Sequence, residues 1–184
     1  MSKVAIFIAN GCEEIEALAV VDVLRRGGIE IDTVAVEGDR QVTGSHKIPF
    51  TCDKTIQEMD KTGYDAVVLP GGMPGTETLR ADKTVGDLVC TYYGEGKLVA
   101  AICAAPSILG GLGILDGRRA TCHPGFEDRL GKAEFVEDRV VTDGNVITSR
   151  GMGTAIDFAL AIVDYLGDGT KTSDEIRTGL VYSR

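Results

Sequence analysis

The chain has 184 residues, 43% of them hydrophobic and 26% charged, with a formal net charge of −9 and a pI of about 4.7. That length is expected to form one domain, residues 1–184, with a substantial core. The acidic balance argues against an electrostatic nucleic-acid footprint and a basic membrane-surface helix, and no apolar run is long enough to span a bilayer.

Val4–Ala9 reads as a buried first strand. A secretory signal is the alternative, and Gly11-Cys12-Glu13-Glu14 directly behind the run, with no small-residue cleavage site, argues against it. Glu13–Arg26 is a helix stopped by Gly27-Gly28. Glu30–Val36 is a second strand, and Gln41–Thr43 with Lys47–Cys52 form a hairpin around Gly44-Ser45. Asp65–Leu69 is a buried strand closed by Pro70-Gly71-Gly72, Lys83–Tyr93 a helix, and Leu98–Ile102 another buried strand. Val140–Thr142 and Val146–Thr148 flank the turn Asp143-Gly144-Asn145. Thr154–Leu166 is apolar nearly all round and so a buried helix, and a last helix falls within Thr172–Thr178. Apolar strands alternating with helices imply an α/β fold with a mostly parallel sheet covered on both faces. Such sheets bind ligands outside the carboxyl ends of their strands. The start of the first helix near Glu16, the Pro70-Gly71-Gly72 loop and Cys103 fall at such ends.

Cys103 ends an apolar strand and is followed by Ala104-Ala105-Pro106 and a helical run, the strand–turn–helix of a nucleophile elbow. A helix start behind the bend favours a thiolate. The alternative is a small buried hydrophobe at a strand end. Glu16 lies across the first helix from the sector of Glu14, Asp22, Arg25 and Arg26, flanked by Ala19, Val20 and Val23. A carboxylate on an apolar face is costly unless protonated or paired, which points to a proton-carrying partner for Cys103. The alternative is an acid placed in the first turn by the helix dipole. The N–H groups of Gly72 and Ala104 are candidate oxyanion donors, with Gly71 beside them, or the two glycines merely make a turn. His123, in a loop, is a candidate proton carrier or a plain surface histidine. His46 receives no role. Cys12, Cys90 and Cys122 are expected to pack, with a place near the crevice as the alternative for Cys12 and Cys122.

Five cysteines make an odd count without CxxC spacing, so neither a disulfide framework nor a dedicated zinc site is expected, and the expected compartment is the reducing cytoplasm. The glycine spacing matches neither dinucleotide nor P-loop fingerprints, so no cofactor is expected.

Five segments, in order and at matching spacing, resemble the ThiJ/PfpI superfamily, in particular its parkinsonism-associated deglycase branch and close bacterial members. They are Gly11-Cys12-Glu13-Glu14-Ile15-Glu16, Val67-Val68-Leu69-Pro70-Gly71-Gly72, Ala100-Ala101-Ile102-Cys103-Ala104-Ala105-Pro106, Thr121-Cys122-His123-Pro124 and Thr148-Ser149-Arg150-Gly151. The resemblance implies a flavodoxin-like sandwich related to class I glutamine amidotransferases, and a homodimer with Cys52 at an interface. It also implies a reactive Cys103 partnered by Glu16, with His123 nearby and Gly72 and Ala104 lining the oxyanion site. The implied activities are conversion of methylglyoxal or glyoxal to hydroxy acids and repair of glycated protein, or redox sensing and chaperone action through an oxidisable Cys103. Thiazole-phosphate biosynthesis and protease or amidase names also attach to the superfamily. Protease-like members carry histidine after the nucleophile, where this chain has Ala104, which argues against a peptidase. Ala105 replaces a glycine usual in the branch, and its methyl group either narrows the pocket or is harmless. Ile15 and Leu18 interrupt the polar sector of the first helix and mark a second buried side, as a dimer contact or under a loop of the same chain.

Overall fold

The computed structural model describes residues 1–183. Its first half runs β1 (Lys3–Ile8), α1 (Glu14–Arg26), β2 (Glu30–Ala35), β3 (Gln41–Thr43), β4 (Pro49–Thr51), β5 (Lys54–Thr55), β6 (Ala66–Leu69), α2 (Gly75–Ala81) and α3 (Lys83–Gly94). The second half runs β7 (Leu98–Ile102), α4 (Pro106–Gly111), β8 (Arg119–Ala120), β9 (Glu134–Phe135), β10 (Val140–Asp143), β11 (Val146–Ser149), α5 (Ala155–Leu166) and α6 (Ser173–Gly179). Seven strands form one sheet in the order β10-β11-β7-β6-β1-β2-β5. Every pairing in it is parallel except β10 with β11. The expected α/β fold with a mostly parallel sheet is therefore present.

The strands are apolar throughout because both faces are covered. Along β1, Val4, Ile6 and Ile8 point to one face and pack with α1 and α5, while Ala5 and Phe7 point to the other and pack with α3 and α4. Gly167, at φ 67°, ends α5 in the left-handed conformation. Thr172 and Glu175 cap α6 reciprocally.

The structure departs from the sequence reading at several elements. The hairpin strand β4 begins at Pro49 rather than Lys47, because Lys47 occupies a turn at φ 66°. Helix α2 was not anticipated, since its seven residues show no apolar periodicity. Neither was the small parallel pair β8–β9. Cys90 is exposed on α3 instead of packing, whereas Cys12, Cys52 and Cys122 are buried. Glu14 leaves the polar sector of α1 and is 4% exposed. Its burial is possible because the His46 N–H donates to it at 2.8 Å and the His46 ring lies 3.1 Å away, which ties the hairpin loop to the start of α1.

Candidate active site

The carboxyl ends of β6, β7 and β11 and the start of α1 meet in one crevice. Glu13 caps α1 by accepting the Glu16 N–H at 2.7 Å. Its own N–H donates to Gly71 O at 2.9 Å, and the Gly71 N–H donates to Glu16 Oε2 at 3.0 Å. These three bonds fix the first turn of α1 against the loop after β6. The loop needs glycine. A Cβ at Gly71 would stand 2.6 Å from both Cys103 Cβ and Glu16 Oε2. Gly72 has φ 91°, and a Cβ there would collide with the backbone of Cys12 and Glu13.

Cys103 sits at φ 66°, a left-handed conformation rare for a residue with a Cβ. Its N–H donates to Ser149 O at 3.0 Å, and its carbonyl accepts the His123 N–H at 2.8 Å. Two neighbouring segments thus hold the bend in place. Strain of this kind, of order 1–3 kcal/mol, persists where the surroundings over-determine it. The thiol is partly exposed and lies against the Glu16 carboxyl, with the N–H groups of Ala104 and Gly72 facing the sulfur. Ala105 is fully buried and its methyl group packs into the core on the α3 side of the sheet, so it does not narrow the crevice.

Glu16 is 1% exposed. Burial pushes its carboxyl up, to about 7, with a further push from Glu13. Contact with the Cys103 thiol and the N–H groups of Gly71 and Met152 pull it back. Burial and the Glu16 carboxylate together push the Cys103 thiol up, against the N–H groups of Ala104 and Gly72. The thiolate-favouring helix end expected from the sequence is weak, since α4 has only six residues. The proton balance between sulfur and carboxylate is set instead by Glu16 and two peptide N–H groups. The neighbouring carboxylate disfavours a second negative charge, so the charge rests on sulfur only when Glu16 is protonated.

His123 is exposed, and its Nδ1 donates to Pro124 O at 2.9 Å. Its ring makes no hydrogen bond to Cys103 or Glu16 among the described residues, but it borders the same edge. A Cβ at Gly151 would lie 3.5 Å from His123 Cδ2 and 3.7 Å from Glu16 Oε1. Beyond the family-like segment that ends at Gly151, the Gly151 edge and the Met152 N–H that faces Glu16 have no local signature of a role. Sequence reasoning therefore missed both. Among the described residues, Glu13, Glu14 and His46 group closely enough to hold a cation. Glu13 is already committed to capping α1, and Glu14 to the hairpin loop. No helix among the described residues is long and apolar enough to cross a membrane.

Similarity to other proteins agrees with this geometry. The chain is 40% identical over 181 residues to the DJ-1 homolog A of Arabidopsis thaliana, covering 97% of this chain and 46% of that protein, so it spans about half the length of that relative. It is 35% identical over 169 residues to a glutathione-independent glyoxalase, DJR-1.2, of Caenorhabditis elegans, covering 90% of this chain and 88% of the relative. Its fold superimposes on the C103A mutant of a DJ-1 superfamily protein from Salmonella typhimurium with a TM-score of 0.94 at 36% identity, covering all of both chains. It matches an oxidized DJ-1 of Toxoplasma gondii with a TM-score of 0.94 at 34% identity, again covering all of both chains. The model of the DJ-1/PfpI family matches residues 2–165. With the family model spanning most of its length, the chain belongs to the DJ-1/PfpI family.

Proposed function

We propose that this protein is a cysteine-dependent enzyme, needing no cofactor, that converts methylglyoxal or glyoxal to the 2-hydroxy acid and acts by the same chemistry on early glycation adducts of protein. The observation that carries the reading is a left-handed Cys103 whose thiol lies against a buried Glu16 carboxyl raised to about 7. The first step is addition of the Cys103 sulfur to the aldehyde carbon. The C=O π bond opens, and its oxygen takes the proton from Glu16, giving a hemithioacetal. The Glu16 carboxylate then removes the hydrogen of that carbon as a proton, the C–H electron pair moves toward the neighbouring carbonyl, and the hydroxyl proton passes to that second oxygen, giving an enediolate. Return of a proton to the adjacent carbon gives the 2-hydroxy thioester. Water cleaves the thioester to the hydroxy acid and restores the thiol. The sum adds one water to the substrate and needs no oxidant or metal. The N–H groups of Gly72 and Ala104 face the growing oxyanion, and the exposed His123 relays protons to solvent. Glu16→Gln is expected to lower turnover by about 10²–10⁴-fold while a methylglyoxal adduct still forms on Cys103 by mass spectrometry. Unchanged turnover in this variant refutes the assignment.

A second reading, an oxidative-stress sensor or chaperone, draws on the same sulfur. Cys103 is partly exposed, and Glu16 with the two N–H groups would hold a sulfinic acid. The similarity to an oxidized Toxoplasma gondii DJ-1 supports it. Cys90 is an internal control, being more exposed than Cys103. Oxidation by mild peroxide confined to Cys103 favours the sensor, and equal oxidation of Cys90 removes it.

The protein is further proposed to act as a homodimer through α1. Ile15 is 52% exposed, Ile48 53% and Met152 53%, and the three line one groove beside His46, with Leu18 one turn along from Ile15. The groove reaches Met152, next to the Glu16 carboxyl, so a second copy seated there would wall the crevice. A reducing cytoplasm suits its five free cysteines.

A further inference from the structure

The cleft that begins at the His123–Gly151 edge of the site continues along Arg150, Met152 and Thr154 to Arg139. Its two guanidinium groups are not equivalent. Arg139 is committed, donating from Nε to Asp157 Oδ2 at 2.8 Å and from Nη2 to Gly153 O at 2.8 Å. Arg150 is half-buried and makes no hydrogen bond or ion pair among the described residues. Its guanidinium lies over the Phe135 ring, 5.9 Å from the centroid. No carboxylate lines the cleft. This is unusual in a chain of net charge −9, where most of the arginines are paired with an acid. Partial burial of a cation costs free energy unless a counter-charge is supplied. A stacked guanidinium also keeps its donor fork preorganised for a planar oxyanion.

Arg150 lines the same cleft as His123 and Gly151, and the Gly151 position borders both His123 and Glu16, so the unpaired cation and the reacting groups open onto one cleft. We propose that the substrate is an α-oxoaldehyde bearing an oxyanion, a carboxylate or a phosphate, at its far end. Arg150 holds that group while the aldehyde carbon meets the Cys103 sulfur. Arg150 is then a specificity-determining residue. The inference rests on the carbonyl-enzyme reading for the reaction, and only on a reactive Cys103 for the binding.

Two measurements separate those dependences. The first compares kcat/KM for 4,5-dioxopentanoate with that for its methyl ester, in wild type, Arg150→Gln and Arg150→Lys. The expected wild-type preference for the carboxylate is at least about tenfold, the worth of one charge-assisted hydrogen bond. It should collapse in Arg150→Gln and return in part in Arg150→Lys. A preference for the ester, or a preference that survives Arg150→Gln, overturns the proposal. The second needs no turnover. Cys103 is alkylated with iodoacetate and with iodoacetamide, an anion and its neutral counterpart, and the ratio of the two rates is followed. The ratio should fall severalfold from wild type to Arg150→Gln, and an unchanged ratio overturns the proposal. A falling ratio with neither oxoaldehyde consumed sinks the carbonyl-enzyme reading and leaves the oxyanion site standing. A packing role of Arg150 on Phe135 would move both alkylation rates together and leave the ratio where it was.

Discussion

At the scale of single residues, Glu16 couples chemistry to stability. Its carboxyl is lifted from 4.5 to about 7, chiefly by burial. An acid whose folded value lies above its unfolded one binds more protons folded than unfolded between the two. Its favourable contribution is therefore complete below the unfolded value and is lost as pH rises through about 7. The full difference corresponds to about 3 kcal/mol. Glu16→Gln, which has no charge to bury, should melt several degrees above wild type at pH 8, with the gap closing by pH 5, as read by thermal denaturation at both values. An equal gap at both would contradict the raised carboxyl. This residue was legible in the sequence, because a helical projection alone places a carboxylate among Ala19, Val20 and Val23. The proton balance was not. It depends on Gly71, Gly72 and Met152, whose backbone N–H groups reach the pair only once β6 and β11 lie side by side with β7.

Among the elements, the loop after β6 is the clearest case of backbone shape setting a site. Gly72 stands at φ 91° with the backbone of Cys12 and Glu13 where a side chain would go. Gly72→Ala should cost about 2 kcal/mol or more, from the left-handed conformation alone and then the collision, and lower Tm by several degrees. Turnover should fall further than stability does, because the shifted N–H no longer faces the sulfur. A variant that keeps wild-type turnover would show the loop to be a turn and nothing more. The long apolar strands β1, β6 and β7 and the helices α1, α3 and α5 are written in hydrophobic periodicity and were foreseen nearly to their ends. Helix α2 and the pair β8–β9 were not, because two to seven residues carry no period. Their conformation comes from neighbours, as when the Gly75 N–H donates to Gly11 O or Val136 donates to Ala120. His46 shows the same limit. In sequence it is a turn residue, and only the folded hairpin brings it to Glu14.

For the whole molecule, the groove of Ile15, Ile48 and Met152 and the crevice at Cys103 meet at Met152. If a second copy covers the groove, Leu18→Glu should convert a dimer at micromolar concentration into a monomer by light scattering, and it should loosen the crevice at Met152. A wild-type chain that is already monomeric would remove this assembly. The central claim is that one sulfur converts a reactive carbonyl without help from a metal or a free thiol. The direct measurement follows methylglyoxal consumption with stereospecific detection of lactate, for wild type and Cys103→Ser side by side, in metal-free and glutathione-free buffer. The account predicts lactate of one configuration from wild type and none above background from Cys103→Ser. Equal lactate from both, or methylglyoxal consumed by wild type without lactate, would contradict it.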